Sequence, residues 1–276
     1  MEIIVVARTD DAATQAVVAE LQHGTELLSL ATVERPGVLA AMETGVRRSR
    51  GDVVAFTDDD ARPYPDWIAR LLAAFGQDTG IAGVGGRDNF PDDARAGKDA
   101  VGRLGWFGRV TGNHHLGVGP PRPVAVLKGV NCAYRREVLE HVGFDHRLRG
   151  RGVELHWELA LGLAILRCGG RLIYDPAIMV DHDEGPRVDG QRLNVREAEK
   201  SMSDAAYNEA LALSEHLSGP RRLSYVTWSA VVGHRDSPGF VQAVRFTPIL
   251  GRQSWRRRAA AARARHDARR ASGARR

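Results

Sequence analysis

Three consecutive aspartates, Asp58, Asp59 and Asp60, follow a short apolar run over residues 53–57. The run is rich in β formers and is bounded by a glycine and a proline, so it predicts a strand buried on both faces. Ligands of open α/β sheets bind outside the carboxyl ends of strands, where closely spaced carboxylates suit Mg²⁺ or Mn²⁺ bound to phosphates. Asp58 and Asp60 therefore form a candidate D-x-D metal site.

The aspartate triplet also has a simpler explanation. D-x-D alone is a weak motif, because any acidic loop can match it. The triplet can instead be a solvated loop or a cap for the helix predicted within residues 64–75, although Asp66 can supply that cap itself. The surrounding sequence has to decide between these explanations.

A second pair of carboxylates, Glu154 and Glu158, lies four residues apart in a helix predicted over residues 154–168. Residues at this spacing share one helix face, and carboxylates near a helix N-terminus gain from the helix dipole. One of them can instead be a general base that takes a proton from an acceptor hydroxyl. The spacing alone leaves both explanations open.

His182 follows another apolar run, downstream of a strand predicted over residues 171–174. An imidazole can complete a metal shell that carboxylates begin, but a single histidine is more often a hydrogen-bonded loop residue. His182 is therefore a candidate metal ligand only in combination with the aspartate pair.

The elements that must position these residues alternate along the first part of the chain. Strands are predicted over residues 2–7, 27–33, 52–57 and 81–87, and helices over residues 12–21, 38–48 and 64–75. Strands that alternate with helices of this length predict βαβ units and a mainly parallel sheet flanked by helices. Residues 89–123 have little periodicity and predict a long irregular loop of a kind that is often functional. A strand at 124–128 and a helix at 134–142 follow.

Composition restricts the class of protein. The 276 residues are 43% hydrophobic and 26% charged, which is typical of a globular chain. The sequence contains no apolar run long enough to span a bilayer and no secretory signal pattern. Cys132 and Cys168 lie outside any C-x-x-C motif, which argues against a zinc site or a disulfide scaffold and for a reducing compartment. We therefore expect a cytoplasmic protein.

The positive charge is concentrated at the C-terminus. Residues 253–276 carry nine arginines and one acid, a net charge of +8, whereas residues 1–252 sum to −3. This composition predicts a flexible, partly helical basic tail, and together with residues 238–250 the tail could instead make peripheral contact with an anionic membrane. Nucleic-acid binding is a weaker alternative, because the basic run has no interleaved aromatics, zinc framework or helix-turn-helix.

Read in order, these segments resemble the family-2 glycosyltransferases, inverting enzymes of the GT-A fold. Four blocks within roughly residues 2–185 carry the resemblance: residues 35–52, 56–67, 128–139 followed by 143–145, and 157–182. Their shared order is more specific than any single motif. The resemblance implies an α/β, GT-A-type Rossmann-like fold with a helical C-terminal extension.

The resemblance also implies roles for individual residues. Glu158 falls where the family has its general base. The residues expected to bind the nucleotide sugar are Asp58, Asp59, Asp10 and Arg35. The residues expected on the acceptor side are Asn131, Trp157 and Glu154. Glu154 is also a reserve candidate for the base. Asp60, Asp58 and His182 would hold Mg²⁺ or Mn²⁺. The implied reaction is transfer of a sugar from a nucleotide-diphosphate donor to a saccharide, lipid or small-molecule acceptor, by direct displacement with inversion.

The sequence departs from the family pattern near its start. Members normally begin with a strand, a nucleotide-contacting loop and a helix before the strand that here starts at Glu2, and that unit is missing. Ala7 and Arg8 stand where acidic residues usually help to read the base, and Trp157 stands where the first acid of a Glu-Asp pair is usual. Either the natural start lies roughly 30–40 residues upstream, or the nucleotide pocket has been lost. We favour the first, because the metal and base positions are chemically competent.

These observations predict three parts: a GT-A-like domain over residues 1–185, a helical extension over 186–252 and the arginine-rich tail over 253–276. The leading functional hypothesis is a metal-dependent inverting glycosyltransferase. The alternative is a non-catalytic protein that binds a sugar nucleotide or another transferase. A nucleotidyltransferase is disfavoured, because the chain has no glycine-rich basic phosphate loop near its N-terminus.

Overall fold

The computed structural model describes residues 1–89, 97–150, 152–183 and 195–273. Part of the loop predicted over residues 89–123, the first residues of the predicted helical extension and the last three residues of the basic tail lie outside these ranges.

Strands and helices alternate through the N-terminal half, and helices make up the C-terminal third. The strands are β1 (Ile3–Arg8), β2 (Leu28–Val33), β3 (Val53–Phe56), β4 (Ala61–Pro63), β5 (Ile81–Asn89), β6 (Arg103–Leu104), β7 (Val110–Thr111), β8 (Arg122–Val124), β9 (Cys132–Arg135) and β10 (Arg171–His182). The α-helices are α1 (Ala12–Gln22), α2 (Val38–Arg48), α3 (Trp67–Gln77), α4 (Arg136–Val142), α5 (Trp157–Arg167), α6 (Val195–His216), α7 (Gly219–Val231), α8 (Phe240–Leu250) and α9 (Arg252–Gly273).

The central sheet has six strands in the order β3-β9-β5-β10-β4, with β8 also paired to β10. Strands β5 and β10 are parallel, whereas β9, β4 and β8 pair antiparallel with their neighbours. Strands β1 and β2 form a separate parallel pair. The predicted α/β class with helices around a sheet is confirmed, but the sheet is mixed rather than mainly parallel. The difference arises because β4 and β9, which the sequence did not predict as strands, enter antiparallel.

Two hydrophobic clusters hold the helices to the central sheet. The larger one joins residues of α2, α5 and the sheet, such as Met42, Trp157 and Leu172, to residues of α6 and α9. The smaller one packs α3 against the sheet through residues such as Trp67 and Ile178. The C-terminal helices therefore share a core with the sheet that carries the candidate site. The three-part division of the chain stays a prediction.

Helix α9, which covers most of the predicted basic tail, packs on the rest of the protein. Its residues Ala261, Ala264 and Ala268 are buried, and α9 packs along α6. Arg265 is also buried and donates hydrogen bonds to the backbone oxygens of Ser237 and Pro238. This packing was not predicted from the sequence, because small alanines, rather than large apolar residues, form the inner face of the helix.

Aspartates precede both α1 and α3, but only the first of them caps its helix. Asp11 caps α1, where its carboxylate accepts a hydrogen bond from the backbone N–H of Thr14 at 3.1 Å. Asp66 precedes α3 but makes no capping hydrogen bond, because its carboxylate accepts one from Arg70 at 2.6 Å instead. Local pairing with arginine thus replaces the predicted cap at α3.

An ion pair between α6 and the α7–α8 connection predicts pH-dependent stability. His234 Nε2 lies 3.0 Å from Glu209 Oε2. Burial lowers the pKa of His234 and raises that of Glu209, but the pairing outweighs burial in both, so the pKa of His234 is raised and that of Glu209 is lowered. The ion pair therefore stabilises the folded protein only between these two pKa values. Its stabilisation is lost as pH falls through the pKa of Glu209 and as pH rises through the pKa of His234.

We expect His234→Gln to lower the free energy of unfolding more at about pH 5.5 than at about pH 8.5, because less of the imidazole is charged at the higher pH. Urea unfolding of both proteins at the two pH values measures this difference. His23→Gln, at an exposed site at the C-terminus of α1, is the matched control, and its effect on the free energy of unfolding should be small. An equal loss at both pH values would show that the ion pair does not form.

Gly86 lies at an irregularity where the register of β5 and β10 shifts between Asp175 and Met179. A Cβ atom at Gly86 would overlap the backbone carbonyl of Ile178, which cannot rotate away. We expect Gly86→Ala to lower the free energy of unfolding by about 3 kcal/mol. Gly76→Ala in α3 is the control, because nothing lies within 4 Å of its added Cβ, and it should stabilise by about 0.5–1 kcal/mol. Urea unfolding midpoints compare the variants, and similar values would contradict the predicted overlap.

Candidate functional site

The aspartate triplet forms the turn between β3 and β4, and β4 brings it to β10. Strand β4 pairs antiparallel with β10 so that Ala61 lies opposite His182. The backbone N–H of Asp183 donates to the carbonyl of Asp60 at 3.0 Å. This pairing places His182 Nε2 at 3.4 Å from Asp60 Oδ1. The sequence predicted the aspartate pair and His182 as candidate ligands, and the pairing of β4 with β10 brings them together.

Asp58, Asp60 and His182 can together hold a metal ion. Each offers one ligand atom, and these atoms lie within 4.8 Å of one another. Two carboxylate oxygens and one imidazole nitrogen form a donor set that suits a divalent cation such as Mg²⁺ or Mn²⁺. The three predicted metal ligands are therefore assembled at one point.

The electrostatics of the triplet also favour a cation. Partial burial raises the pKa of Asp58, and the negative charges of Asp60 and Asp59 raise it further. His182 and Lys128 act in the opposite direction but do not outweigh them. Because like charges disfavour ionisation, a bound cation would stabilise the ionised carboxylates.

Groups around this site hold the edge formed by β4 and β10 in place. Asp181 Oδ1 accepts hydrogen bonds from the Tyr64 hydroxyl at 3.2 Å and from Asn89 Nδ2 at 2.9 Å. Arg62 on β4 donates to the Asp183 carboxylate at 2.9 Å. Such outer contacts orient the residues that would contact a metal directly.

Glu158 lies in the first turn of α5, beside the backbone of Gly129. Burial raises the pKa of its carboxyl group, while backbone hydrogen bonds and the charges of Lys128 and His156 oppose the rise. A carboxylate whose pKa is raised by burial is a better proton acceptor near neutral pH. The position and environment of Glu158 therefore suit a general base.

Lys128 is a charged residue of this region that the sequence analysis did not single out. Its positive charge opposes the rise in the pKa of both Asp58 and Glu158. It also acts on Asp88, a buried carboxylate whose Oδ1 has no hydrogen-bond partner among the described residues. The available signal was the position of Lys128 at the start of the block 128–139.

Glu154 and Trp157 both contact other parts of the protein, and the acceptor-side roles predicted for them stay predictions. Glu154 lies at the N-terminus of α2, where its carboxylate accepts from the Leu39 N–H at 3.4 Å. Gly37 there has a φ of +134°, and a Cβ would overlap the Glu154 carboxylate. Trp157 is buried in the core and its ring packs on Gly129. The surroundings of Glu154 are thus those of a helix-terminal anion.

Asn131 is fully buried, with 0% of its surface exposed. Its Nδ2 donates to the carbonyls of Arg87 and Ile178, and its Oδ1 accepts from Trp67 Nε1 at 2.8 Å. These bonds tie β5, β10 and α3 together. The amide of Asn131 is therefore bound within the protein, and its predicted contact with an acceptor stays a prediction.

The predicted nucleotide-side residues follow the carboxyl ends of β1, β2 and β3. Asp10 follows β1 and forms an exposed ion pair with Arg8, and Arg35 follows β2, where it lies 2.9 Å from His146 Nδ1. Asp59 lies in the exposed turn, between the predicted metal ligands Asp58 and Asp60. None of these contacts assigns a ligand, so their nucleotide-binding roles stay predictions.

A comparison with protein families matches residues 1–143 to the family described as Glycosyl transferase family 2. Glycosyltransferase AglE of Haloferax volcanii is 30% identical over 158 residues, which are 56% of this chain and 49% of that protein. Glucosyl-dolichyl phosphate glucuronosyltransferase of the same organism is 29% identical over 155 residues, 54% of this chain and 48% of that protein. The chain spans about half the length of these curated relatives.

The solved structure of GalNAc-T7 with UDP, GalNAc and Mn²⁺ is similar in fold. It superposes with a TM-score of 0.55 at 17% identity, covering 82% of this chain and 47% of that one. The predicted GT-A-type fold is thereby confirmed. Because the family match covers residues 1–143, more than half of the chain, the chain belongs to glycosyl transferase family 2.

Proposed function

We propose that this protein is a metal-dependent inverting glycosyltransferase that uses a nucleotide-diphosphate sugar. The observation that carries the proposal is the assembly of Asp58, Asp60 and His182 into one possible metal site at the carboxyl end of β3. The carboxylate of Glu158, whose pKa burial raises, lies within the electrostatic reach of the same lysine as Asp58. Sugar transfer from a diphosphate donor needs both a site for a cation and a general base.

The metal would be Mg²⁺ or Mn²⁺, held by Asp60, Asp58 and His182. When bound, such an ion neutralises negative charge that develops on the leaving diphosphate. Support comes from the donor set of this chain and from the related fold of GalNAc-T7, whose structure contains UDP and Mn²⁺.

Glu158 is proposed to take the proton from an acceptor hydroxyl as that oxygen attacks the anomeric carbon of the donor sugar. The bond between that carbon and the diphosphate breaks, and the nucleoside diphosphate leaves with the bonding electrons. A single displacement of this kind inverts the anomeric configuration. Lys128, whose positive charge acts on both Asp58 and Glu158, is placed to reduce the negative potential across the site.

The acceptor is proposed to be a saccharide, a lipid or a small molecule. One curated relative is named as acting on glucosyl-dolichyl phosphate, which supports a lipid-linked acceptor as one of the three. The cytoplasmic location and a peripheral membrane contact expected from the sequence stay predictions. Among the residues that the structure describes, no helix is long and apolar enough to cross a membrane.

Calorimetric titration with UDP and GDP, with and without Mn²⁺, tests the proposal. We expect at least one nucleoside diphosphate to bind in the presence of Mn²⁺ and to lose affinity when the ion is chelated. Binding followed by no transfer from any donor sugar would favour the alternative of a non-catalytic sugar-nucleotide-binding protein. Failure of both nucleotides to bind would contradict the enzyme proposal for this chain.

A further inference from the structure

Helix α8 presents an apolar surface to solvent. The exposed fractions are 51% for Phe240, 47% for Val241, 48% for Val244 and 77% for Ile249. Trp255 at the start of α9 is 39% exposed, and its ring meets that of Phe240 edge to face at 5.7 Å. We call these five residues the α8 face. Large apolar side chains exposed together on one surface indicate an interaction site.

The opposite side of α8 is fixed to the protein, so the α8 face cannot turn inward. Ala243 is fully buried, and its carbonyl oxygen accepts a hydrogen bond from Ser254 Oγ at 2.7 Å. Since Ser254 belongs to α9, which packs on α6, this bond links α8 to the core. The exposed side chains are therefore held outward by the fold.

Arginines surround the α8 face. Arg245 lies on α8 and is exposed, and Arg252 and Arg256 follow at the start of α9, both exposed. The Arg258 guanidinium lies over the Phe240 ring, 5.8 Å from its centroid. Apolar side chains interleaved with arginine on a surface helix match the chemistry of the headgroup and acyl-chain boundary of a bilayer.

The charge of this part of the chain is strongly asymmetric. Residues 218–273 carry twelve arginines, no lysine and two acids, a net charge of +10, whereas residues 1–217 sum to −7. A positive potential of this size attracts an anionic surface, and it opposes the pairing of two such faces from two copies of the chain. Nucleic acid would use the arginines but not the exposed aliphatic side chains.

We propose that the α8 face docks on an anionic lipid bilayer, with its apolar residues at the acyl boundary and the surrounding arginines on lipid phosphates. The sequence allowed a membrane contact by residues 238–250 together with the basic tail, and the structure narrows it to the α8 face, because the inner face of α9 packs on α6. Docking does not depend on the proposed transfer reaction, and its test uses no activity measurement.

Co-sedimentation of the full chain with lipid vesicles tests the proposal. We expect binding to vesicles of phosphatidylcholine mixed with phosphatidylglycerol and little binding to phosphatidylcholine alone. Raising salt from about 0.1 M to about 1 M shortens the screening length from about 10 Å to about 3 Å and should release most of the protein. Equal binding to both kinds of vesicle, or none to either, would overturn the proposal.

Variants separate the apolar and charged parts of the surface. Val241→Ser with Ile249→Ser should weaken binding to anionic vesicles by at least about tenfold, because each removes an inserted apolar side chain. Leu21→Ser with Leu72→Ser, at exposed positions of α1 and α3, is the matched control and should bind normally. All four positions are on the surface, and unfolding midpoints confirm that each protein is folded.

Arg245→Gln, Arg252→Gln and Arg256→Gln together should also weaken binding by at least about tenfold, since each arginine near an anionic surface contributes several-fold. Replacing three exposed arginines elsewhere, Arg47, Arg48 and Arg103, changes the net charge equally and should have little effect. Equal losses in the two triple variants would overturn the assignment to the α8 face. A dimer in solution that the Ile249→Ser variant dissociates would also overturn it. So would binding of an oligonucleotide that competes with the vesicles and that the apolar variants do not weaken.

Discussion

Replacing Glu158 by glutamine is expected to reduce sugar transfer by about a thousandfold or more, because glutamine cannot accept the proton of the acceptor hydroxyl. The amide has nearly the same shape, and Glu158 is not one of the three proposed metal ligands. Binding of the nucleoside diphosphate with Mn²⁺ should therefore remain close to that of the unmodified protein. Initial rates with saturating donor, together with calorimetric titration of UDP or GDP, measure the two quantities separately.

Glu154→Gln is the matched control for this prediction. The carboxylate of Glu154 accepts from the Leu39 N–H at the start of α2, and a glutamine oxygen can accept the same bond. Transfer by this variant should therefore stay within a few-fold of normal, with a small loss of stability from the missing charge at the helix N-terminus. If Glu154→Gln abolished sugar transfer while Glu158→Gln left it intact, the assignment of Glu158 as the base would be contradicted.

Asp60→Asn is expected to lower the affinity for Mn²⁺ by about a hundredfold, because it removes a charged oxygen ligand that lies beside His182. Nucleotide affinity should fall with it and should no longer change when the metal is chelated. Titration of Mn²⁺ followed by electron paramagnetic resonance measures the free ion directly and needs no donor sugar. Unfolding of the variant in urea shows whether the turn between β3 and β4 is retained.

Asp59→Asn is the control for Asp60→Asn, because it removes the same charge from the neighbouring residue of the same exposed turn. It should lower Mn²⁺ affinity by less than about tenfold, through the loss of one nearby charge. Equal losses in the two variants would show that the turn attracts cations through its total charge rather than by coordination at Asp60.

The sequence predicted the elements that present the site better than the pairing between them. Helix α2 was predicted over residues 38–48 and is observed at Val38–Arg48, because its apolar periodicity and the preceding Pro36-Gly37 mark it locally. Strand β4 has only three residues and ends at Pro63, so it has too little pattern to be recognised. Its pairing with β10 is a long-range contact, and this contact joins His182 to Asp60.

Buried polar residues were the hardest to interpret from sequence. Asn131 lies in a block that resembles the family and stays a predicted acceptor contact, but the sequence did not reveal the three hydrogen bonds by which it holds β5, β10 and α3 together. Lys128, three residues earlier, starts the same block, but only the fold shows that its charge acts on Asp58, Asp88 and Glu158. In both cases the role depends on neighbours distant in sequence, which local patterns do not report.

Helix α9 illustrates a different limit. Its composition of alanine and arginine predicts a solvated tail, since few large apolar residues are available to form a core. The packing on α6 depends on the small size of Ala261, Ala264 and Ala268, which allows the two helices to approach closely. A hydrophobic pattern made of alanines is too weak to detect without the partner helix.

Anomalous diffraction from crystals grown with Mn²⁺ and a bound nucleoside diphosphate tests the central claim most directly. We predict a strong anomalous peak about 2 Å from a carboxylate oxygen of Asp60 and from His182 Nε2, with Asp58 and the diphosphate at the same ion. A nucleotide bound with its metal elsewhere, and with Asp60 and His182 outside coordination distance, would contradict the proposed site.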